Sequence, residues 1–196
     1  MEIEWRGKAI EHGGACALAD AGAHGREWYA DSGASLERYA GAHGRTLRYV
    51  ADVVSILSPR VSVSQNVKLA DEYITTGGIV RGVMNGRRVA LARYESGLGF
   101  KGPKVTAFSA ALQGDPESIV IDAWILRAFN LTARPADLRT ARRIIRGAAS
   151  RLSWANAETL AAIWVGVRAA CGFADAYSPL IMPAVSRAEG LDHGQD

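Results

Sequence analysis

The apolar positions along this 196-residue chain recur with the period of an α-helix, and no segment alternates in the way that marks a half-buried strand. Between residues 45 and 57 the apolar side chains share one face, and Ser58-Pro59 then ends the helix. Ser62 and Gln65 have the spacing of a capping box, so a second helix should run to about Ile74. The pattern therefore predicts an all-α protein.

The remaining segments continue this helical pattern. Glycines interrupt the chain between 97 and 102, and Pro103 is suited to be the first residue of the helix that follows. The C-terminal stretch from 172 to 196 should be irregular, with a frayed tail after Arg187. Further helices are predicted at about 15–23, 33–42, 87–95, 135–152 and 156–171.

The composition is that of a soluble, cytoplasmic protein. A hydrophobic fraction of 48% is enough for a buried core, and no run approaches the roughly 18 apolar residues of a membrane span. The first twenty residues include Glu2 and Lys8 where a signal peptide would be apolar. Cys16 and Cys171 make no CxxC pair, so we expect no disulfide framework, metal site or cofactor. Nothing implies a membrane or an obligate protein partner.

Positive charge is concentrated in one region. The net charge is only +3, but residues 79–151 hold thirteen Lys and Arg against five Asp and Glu, which is +8, and the rest of the chain carries −5. Nineteen of the 23 cations are arginine, which binds phosphate in a bidentate manner. Solvated helix faces give the same bias, so the charge indicates a nucleic acid only when a motif supports it.

Such a motif begins at the glycines before Pro103. Gly99 and Gly102 let backbone N–H groups approach an anion, and the helix that starts at Pro103 directs its positive end to the same place. Lys104 lies in the first turn of that helix. The arrangement suits a phosphate of a nucleic acid backbone.

An aspartate follows this hairpin after about three helical turns. The chain reverses at 114–116, and the apolar run 119–121 leads to Asp122, which should begin a helix at Ala123. Because aspartate is a favoured N-cap, Asp122 also has a purely structural interpretation.

These features together resemble the helix-hairpin-helix (HhH-GPD) DNA glycosylases. A hairpin glycine, a lysine two residues later and an Ile-Asp eighteen residues beyond the lysine are similar to the endonuclease III branch. Gly102-Pro-Lys104-Val also resembles the 8-oxoguanine glycosylases, and Ile56-Leu57-Ser58 resembles the family's Leu-Leu-Ser segment. The resemblance covers about 45–171 and identifies the chain as a divergent member without an iron–sulfur cluster.

The resemblance implies a two-lobed fold that binds double-stranded DNA. Residues 45–118 would form a helical barrel lobe with the hairpin, and residues 1–44 plus 119–196 would form the second helical lobe. A damaged or modified base would be flipped out between the lobes, and cleavage of its N-glycosidic bond would leave an abasic site. Oxidised pyrimidine, 8-oxoguanine, alkylated base and hypermodified viral base all remain open, so the role is either DNA repair at the nucleoid or antiviral defence.

The same resemblance assigns roles to individual residues. Asp122 would stabilise the oxocarbenium-like sugar and orient a water. Lys104 is either a phosphate contact or, in the branch that is also an AP lyase, a Schiff-base nucleophile with a depressed pKa. Arg60 would be inserted into the base stack, although an ordinary surface arginine fits this position as well. Phosphates would be contacted by Gly99, Lys101, Gly102, Arg87 and Arg88, and the flipped base would stack on Trp28, Trp124 and Trp164, although tryptophans at helical spacing also build cores.

Two other classes of protein fit the same residues. A non-catalytic helix-hairpin-helix module would use Asp122 only as a cap and Lys104 only as a phosphate contact. A helical protein-interaction domain would show no salt-dependent DNA binding.

Overall fold

The computed structural model describes residues 12–78, 83–173 and 177–184, and within these ranges it contains helices and no strand. The predicted all-α class is therefore confirmed for this part of the chain, whereas the predicted tail after Arg187 lies outside it. The α-helices of the described residues are α1 (His12–Ala21), α2 (Trp28–Ala42), α3 (Leu47–Leu57), α4 (Val63–Thr76), α5 (Asn85–Arg93), α6 (Pro103–Leu112), α7 (Ala123–Ala128), α8 (Pro135–Leu152) and α9 (Asn156–Ala170).

Local signals set the starts of several helices. The hydroxyls of Thr46 and Ser62 each accept a hydrogen bond, at 3.1 Å, from the backbone N–H three residues later, which caps α3 and α4. Pro103 and Pro135 are the first residues of α6 and α8, where the missing N–H of proline costs nothing. The helix starts predicted at Ser62, Pro103 and Pro135 are confirmed, whereas the cap at Thr46 was not predicted.

The N-terminal helices differ from the prediction in their bounds. The second of them begins at Trp28 and not near residue 33. Trp28 is buried and stacks on Phe108 of α6, with ring centroids 6.1 Å apart. This long-range contact stabilises an extra turn for which the local sequence carries no capping signal.

Helix α3 lies at the centre of one group of helices. It packs against α2, α4, α5 and α6, and its side chains Val50, Val53 and Leu57 are fully buried. The buried carboxylate of Asp52 accepts a hydrogen bond from Ser109 Oγ, which ties α6 to α3. This contact fixes the helix that begins at the glycine turn.

A second group forms where the two ends of the described chain meet. Helix α1 packs against α8 and α9, and α7 packs against α9. Helices α1 and α9 approach at glycines: a Cβ on Gly166 would lie 2.2 Å from Leu18 O, and one on Gly22 would lie 2.1 Å from Ala162 O. Helix α2 contacts α3 and α6 as well as α9, so it joins the two groups.

The segment 177–184 has no helix, as predicted, and it lies against α2. The backbone N–H groups of Leu180 and Met182 donate to the hydroxyls of Ser32 and Ser35, each at 2.9 Å. Leu180 is fully buried. Among the described residues no helix combines the length and the apolar character that crossing a bilayer requires.

Candidate functional site

A cavity of about 110 Å³ opens between the two groups of helices. Its walls come from the start of α2, the turn between α3 and α4, the beginning of α4, α6, α9 and the C-terminal segment. The chain just before α7 completes it with Val120 and Asp122. Residues that are far apart in the sequence therefore line one open cavity.

The carboxylate of Asp122 lies in this cavity and is held at both oxygens. Its Oδ1 accepts from the backbone N–H of Trp124 at 2.9 Å and of Ile125 at 3.0 Å, so Asp122 caps α7 as predicted. Its Oδ2 accepts from the indole Nε1–H of Trp164 at 3.1 Å. Capping of the helix uses only the two hydrogen bonds to Oδ1. The second bond orients the carboxylate, which retains lone pairs for a ligand.

Lys104 lines the same cavity from the first turn of α6. Burial lowers the pKa of its ammonium below the ordinary value, and the nearby guanidinium of Arg87 acts in the same direction, whereas the charge of Asp122 opposes them. The unprotonated amine, which is the nucleophilic form, is therefore more populated at a given pH than it is for a lysine in water.

Two of the three tryptophans predicted to line a base pocket lie in the wall of this cavity. Trp28 and Trp164 lie in the cavity wall with ring centroids 5.8 Å apart, and Trp28 Nε1–H donates to Ser178 O at 2.8 Å. Trp124 does not line the cavity. Its ring packs edge-on against Phe173 at 5.2 Å, because its place in the first turn of α7 directs the side chain elsewhere.

The glycine turn between α5 and α6 has backbone conformations that few other residues adopt. Gly97, Gly99 and Gly102 have φ values of 72°, 62° and 120°, which favour glycine. A Cβ at Gly99 would meet nothing within 4 Å. Glycine is therefore favoured at this position by the backbone conformation and not by the space around it. Lys101 is exposed on this turn, and Arg88 is exposed on α5. The side chains of Lys101 and Arg88 therefore lie on the surface, where a large partner can contact them.

Arg87 is not placed for the phosphate contact that the sequence predicted. It is 8% exposed, and its guanidinium donates to the carbonyl oxygen of Pro59. The reason is that α5 packs on α3, so the side chain of Arg87 reaches the turn that follows α3. Arg87 therefore holds this turn and is not part of the exposed basic surface.

The turn that Arg87 holds presents Arg60 to solvent. Arg60 is exposed and has a φ of 59°, a conformation that costs a non-glycine residue about 1–2 kcal/mol. Ser58, Val61 and Ser62 on either side of it line the cavity. Arg60 thus lies at the rim of the cavity on a backbone that the fold keeps strained.

Sequence reasoning missed three side chains in the cavity wall: Tyr29, Asn66 and Phe108. Burial raises the pKa of Tyr29 well above its ordinary value, and the charge of Asp122 adds to the rise, so its hydroxyl stays protonated. Asn66 is 3% exposed, and its Oδ1 has no hydrogen-bond partner. Asn66 lies four residues before Ala70 and eight before Ile74, both of which are buried, so helical spacing places it on the buried face of α4. Because a buried polar side chain needs a hydrogen-bond partner, this position could have been identified from the sequence as one with a possible ligand.

The arrangement joins a carboxylate, a lysine of lowered pKa and aromatic walls in one small space. Such a site can bind a flat ring, stabilise positive charge and supply a nucleophilic amine. In the part of the chain that the structure describes, no three His, Cys, Asp or Glu side chains are grouped to hold a metal ion.

Comparison with known proteins yields a family and no activity. A family model matches residues 9–171, and it describes a family of unknown function (DUF7178). No curated protein and no solved structure matches this chain.

Proposed function

The chain belongs to the DUF7178 family, and we propose that it is a DNA glycosylase that flips a damaged or modified base into the cavity and cleaves its N-glycosidic bond. The observation that carries the proposal is the meeting of Asp122 and Lys104 in one aromatic-walled cavity. Asp122 lies in front of α7 and Lys104 begins α6, directly after the glycine turn. A DNA-binding module without catalysis would need neither group in a cavity.

The two-lobed fold is part of the same proposal. The first lobe comprises residues 45–118, whose helices α4, α5 and α6 pack around α3. The second would comprise residues 1–44 and 119–196, and within the described part of it α1 packs on α8 and α9. The cavity has walls from both sets of residues, which is where an extruded base must be held.

The chemistry follows from the two polar groups. The unprotonated Nζ of Lys104 attacks C1′ of the sugar, and the bond from C1′ to the base breaks with its electron pair leaving on the base, which takes up a proton. The carboxylate of Asp122 stabilises the positive charge that develops on the sugar, accepts one proton from the amine and passes it to the departing base. The ring oxygen O4′ then leaves C1′ and takes the second proton of the amine, so opening of the sugar ring gives a Schiff base between C1′ and Lys104.

DNA would be held by the exposed side of the glycine turn. Backbone N–H groups after Gly99 and at the start of α6 would receive one phosphate, and the side chains of Lys101 and Arg88 would contact others. Arg60, at the cavity rim, would fill the gap that the flipped nucleotide leaves. Its strained backbone favours this assignment, since strain tends to collect at functional turns.

A panel of labelled duplexes tests the proposal. Each duplex carries one damaged or modified base opposite its normal partner, and alkali then cuts the strand wherever an abasic site has formed. We expect cleavage at one class of base and none in undamaged duplex. Salt-dependent binding to every duplex without any abasic site would instead establish the non-catalytic module, and no DNA binding at all would favour a protein-interaction domain.

Borohydride trapping tests the role of Lys104. Reduction of the Schiff base should give a stable covalent complex of wild-type protein and duplex, and Lys104→Met should abolish it. The ammonium of Lys104 loses its proton as the pH rises. Because burial lowers its pKa, this happens at a lower pH than for a lysine in water. The trapped yield should therefore rise with pH and reach half its maximum below 10.5, the ordinary lysine value.

The matched control is Lys101→Met, which removes an exposed lysine three residues earlier. It should weaken binding but leave trapping intact at saturating protein. Abasic sites without any trapped complex would mean that water, activated by Asp122, is the nucleophile.

A further inference from the structure

The cavity contains an unused hydrogen-bonding group. Asn66 is buried on α4, lines the cavity, and has a side-chain Oδ1 without a partner. A buried amide oxygen without a hydrogen bond costs about 1–3 kcal/mol, and nearly all such groups in folded proteins are satisfied. A ligand that enters the cavity and donates to this oxygen would remove that cost.

We propose that Asn66 selects the base by pairing with a ring N–H that lies next to a carbonyl oxygen, and that this base is a single-ring pyrimidine of the uracil type. The inference rests on the proposed base excision and names its substrate class. An asparagine side chain presents a donor beside an acceptor whichever way the amide is turned. The N3–H of such a pyrimidine lies between two carbonyl groups, so it matches both orientations.

The size of the cavity favours one ring over two. A dry apolar cavity of about 150 Å³ accepts a benzene ring, and the cavity here measures about 110 Å³. Trp28 and Phe108 stack on each other with ring centroids 6.1 Å apart and form one aromatic wall, against which one flat face of the base would lie. A fused two-ring purine would have to extend beyond this volume.

The remaining polar groups of the cavity also suit a base with two carbonyl oxygens. Lys104 and the protonated Tyr29 hydroxyl can donate to a carbonyl. The carboxylate of Asp122 already accepts three N–H groups, and in the proposed reaction its remaining lone pair faces the sugar and not the base edge. Apart from Asn66, the polar side chains that can reach the base are hydrogen-bond donors. They therefore suit the carbonyl oxygens of the base.

Binding of free bases tests this inference without requiring excision. Uracil is compared with 3-methyluracil, which lacks the N–H, and with hypoxanthine, which has the same N–H and carbonyl on a two-ring base. The readout is the indole N–H resonance of Trp164, assigned with Trp164→Phe, because this group donates to Asp122 at the cavity. We expect uracil to bind at least about tenfold more tightly than either analogue.

Asn66→Leu should reduce uracil binding by about tenfold and abolish the preference over 3-methyluracil. Leucine has nearly the same shape, and no hydrogen bond to Asn66 Oδ1 is lost, so the variant should melt close to the wild-type temperature. The matched control is Gln65→Leu, which changes an exposed amide one position earlier on α4 and should keep the preference.

Three results would overturn the inference: an unchanged preference in Asn66→Leu, hypoxanthine binding as tightly as uracil, or no base perturbing the Trp164 resonance at millimolar concentration. If the duplex panel nevertheless yields abasic sites, the glycosylase proposal stands and only the assignment of Asn66 is wrong. Asn66-dependent uracil binding without abasic sites would leave a pyrimidine site but refute base excision.

Discussion

Asp122→Asn is expected to lower the rate of base excision by about 10²–10³-fold while the affinity for duplex DNA stays the same or rises slightly. The rate falls because the amide carries no charge to stabilise the developing positive sugar. The fold is retained, since asparagine is as good an N-cap as aspartate and its oxygen can still accept from Trp124 N and Ile125 N. Single-turnover excision on the duplex from the panel, with binding measured in parallel, gives both values.

The matched control is Asp115→Asn. Asp115 also stabilises a turn with its carboxylate, accepting from Glu117 N at 3.0 Å and from Ser118 Oγ at 2.6 Å, but it lies outside the cavity. Its variant should excise at the wild-type rate. If Asp122→Asn also retains the full rate, Asp122 is a helix cap and the catalytic assignment is wrong.

Gly166→Ala is expected to destabilise the protein by about 3 kcal/mol, at the upper end of overpacking effects. The added Cβ would lie 2.2 Å from Leu18 O, and a backbone carbonyl cannot rotate away as a side chain can. Helices α1 and α9 would have to separate. For a chain of this length the melting temperature should fall by roughly 10 °C, measured by calorimetry or circular dichroism.

Gly41→Ala serves as the control for this prediction. Gly41 lies in the last turn of α2, and a Cβ there would meet nothing within 4 Å. Alanine is the better helix former, so this variant should gain about 0.5 kcal/mol. A Gly166→Ala protein that melts with the wild type would mean that α1 and α9 do not cross as closely as the structure places them.

Several parts of the fold could be predicted from the sequence because they depend on interactions between residues close together in the chain. The cap at Ser62 acts over three residues, and Pro103 begins α6 without any help from distant residues. Asp122 was predicted as a helix start on the same grounds, and its Oδ1 caps α7. The buried stripe of α3 followed from its 3.6-residue period.

The sequence predicted only some of the residues that line the cavity. Asp122, Lys104, Trp28 and Trp164 were all named from the sequence, and all four line the cavity. Trp124 was wrongly included, because residue type alone does not say which way the first turn of a helix faces. The role of Arg87 was also misjudged, since its burial depends on the packing of α5 on α3.

The sequence by itself determined an all-helical chain, the glycine turn before α6 and the aspartate that caps α7, because periodicity, backbone conformation and capping are properties of a few consecutive residues. Only the tertiary structure decided that Tyr29, Asn66 and Trp164 face Asp122 across one cavity. They come from α2, α4 and α9, and the close approach of α1 to α9 at Gly22 and Gly166 helps to hold that side of the cavity in place. Such contacts depend on how whole helices pack, and no local pattern encodes that packing.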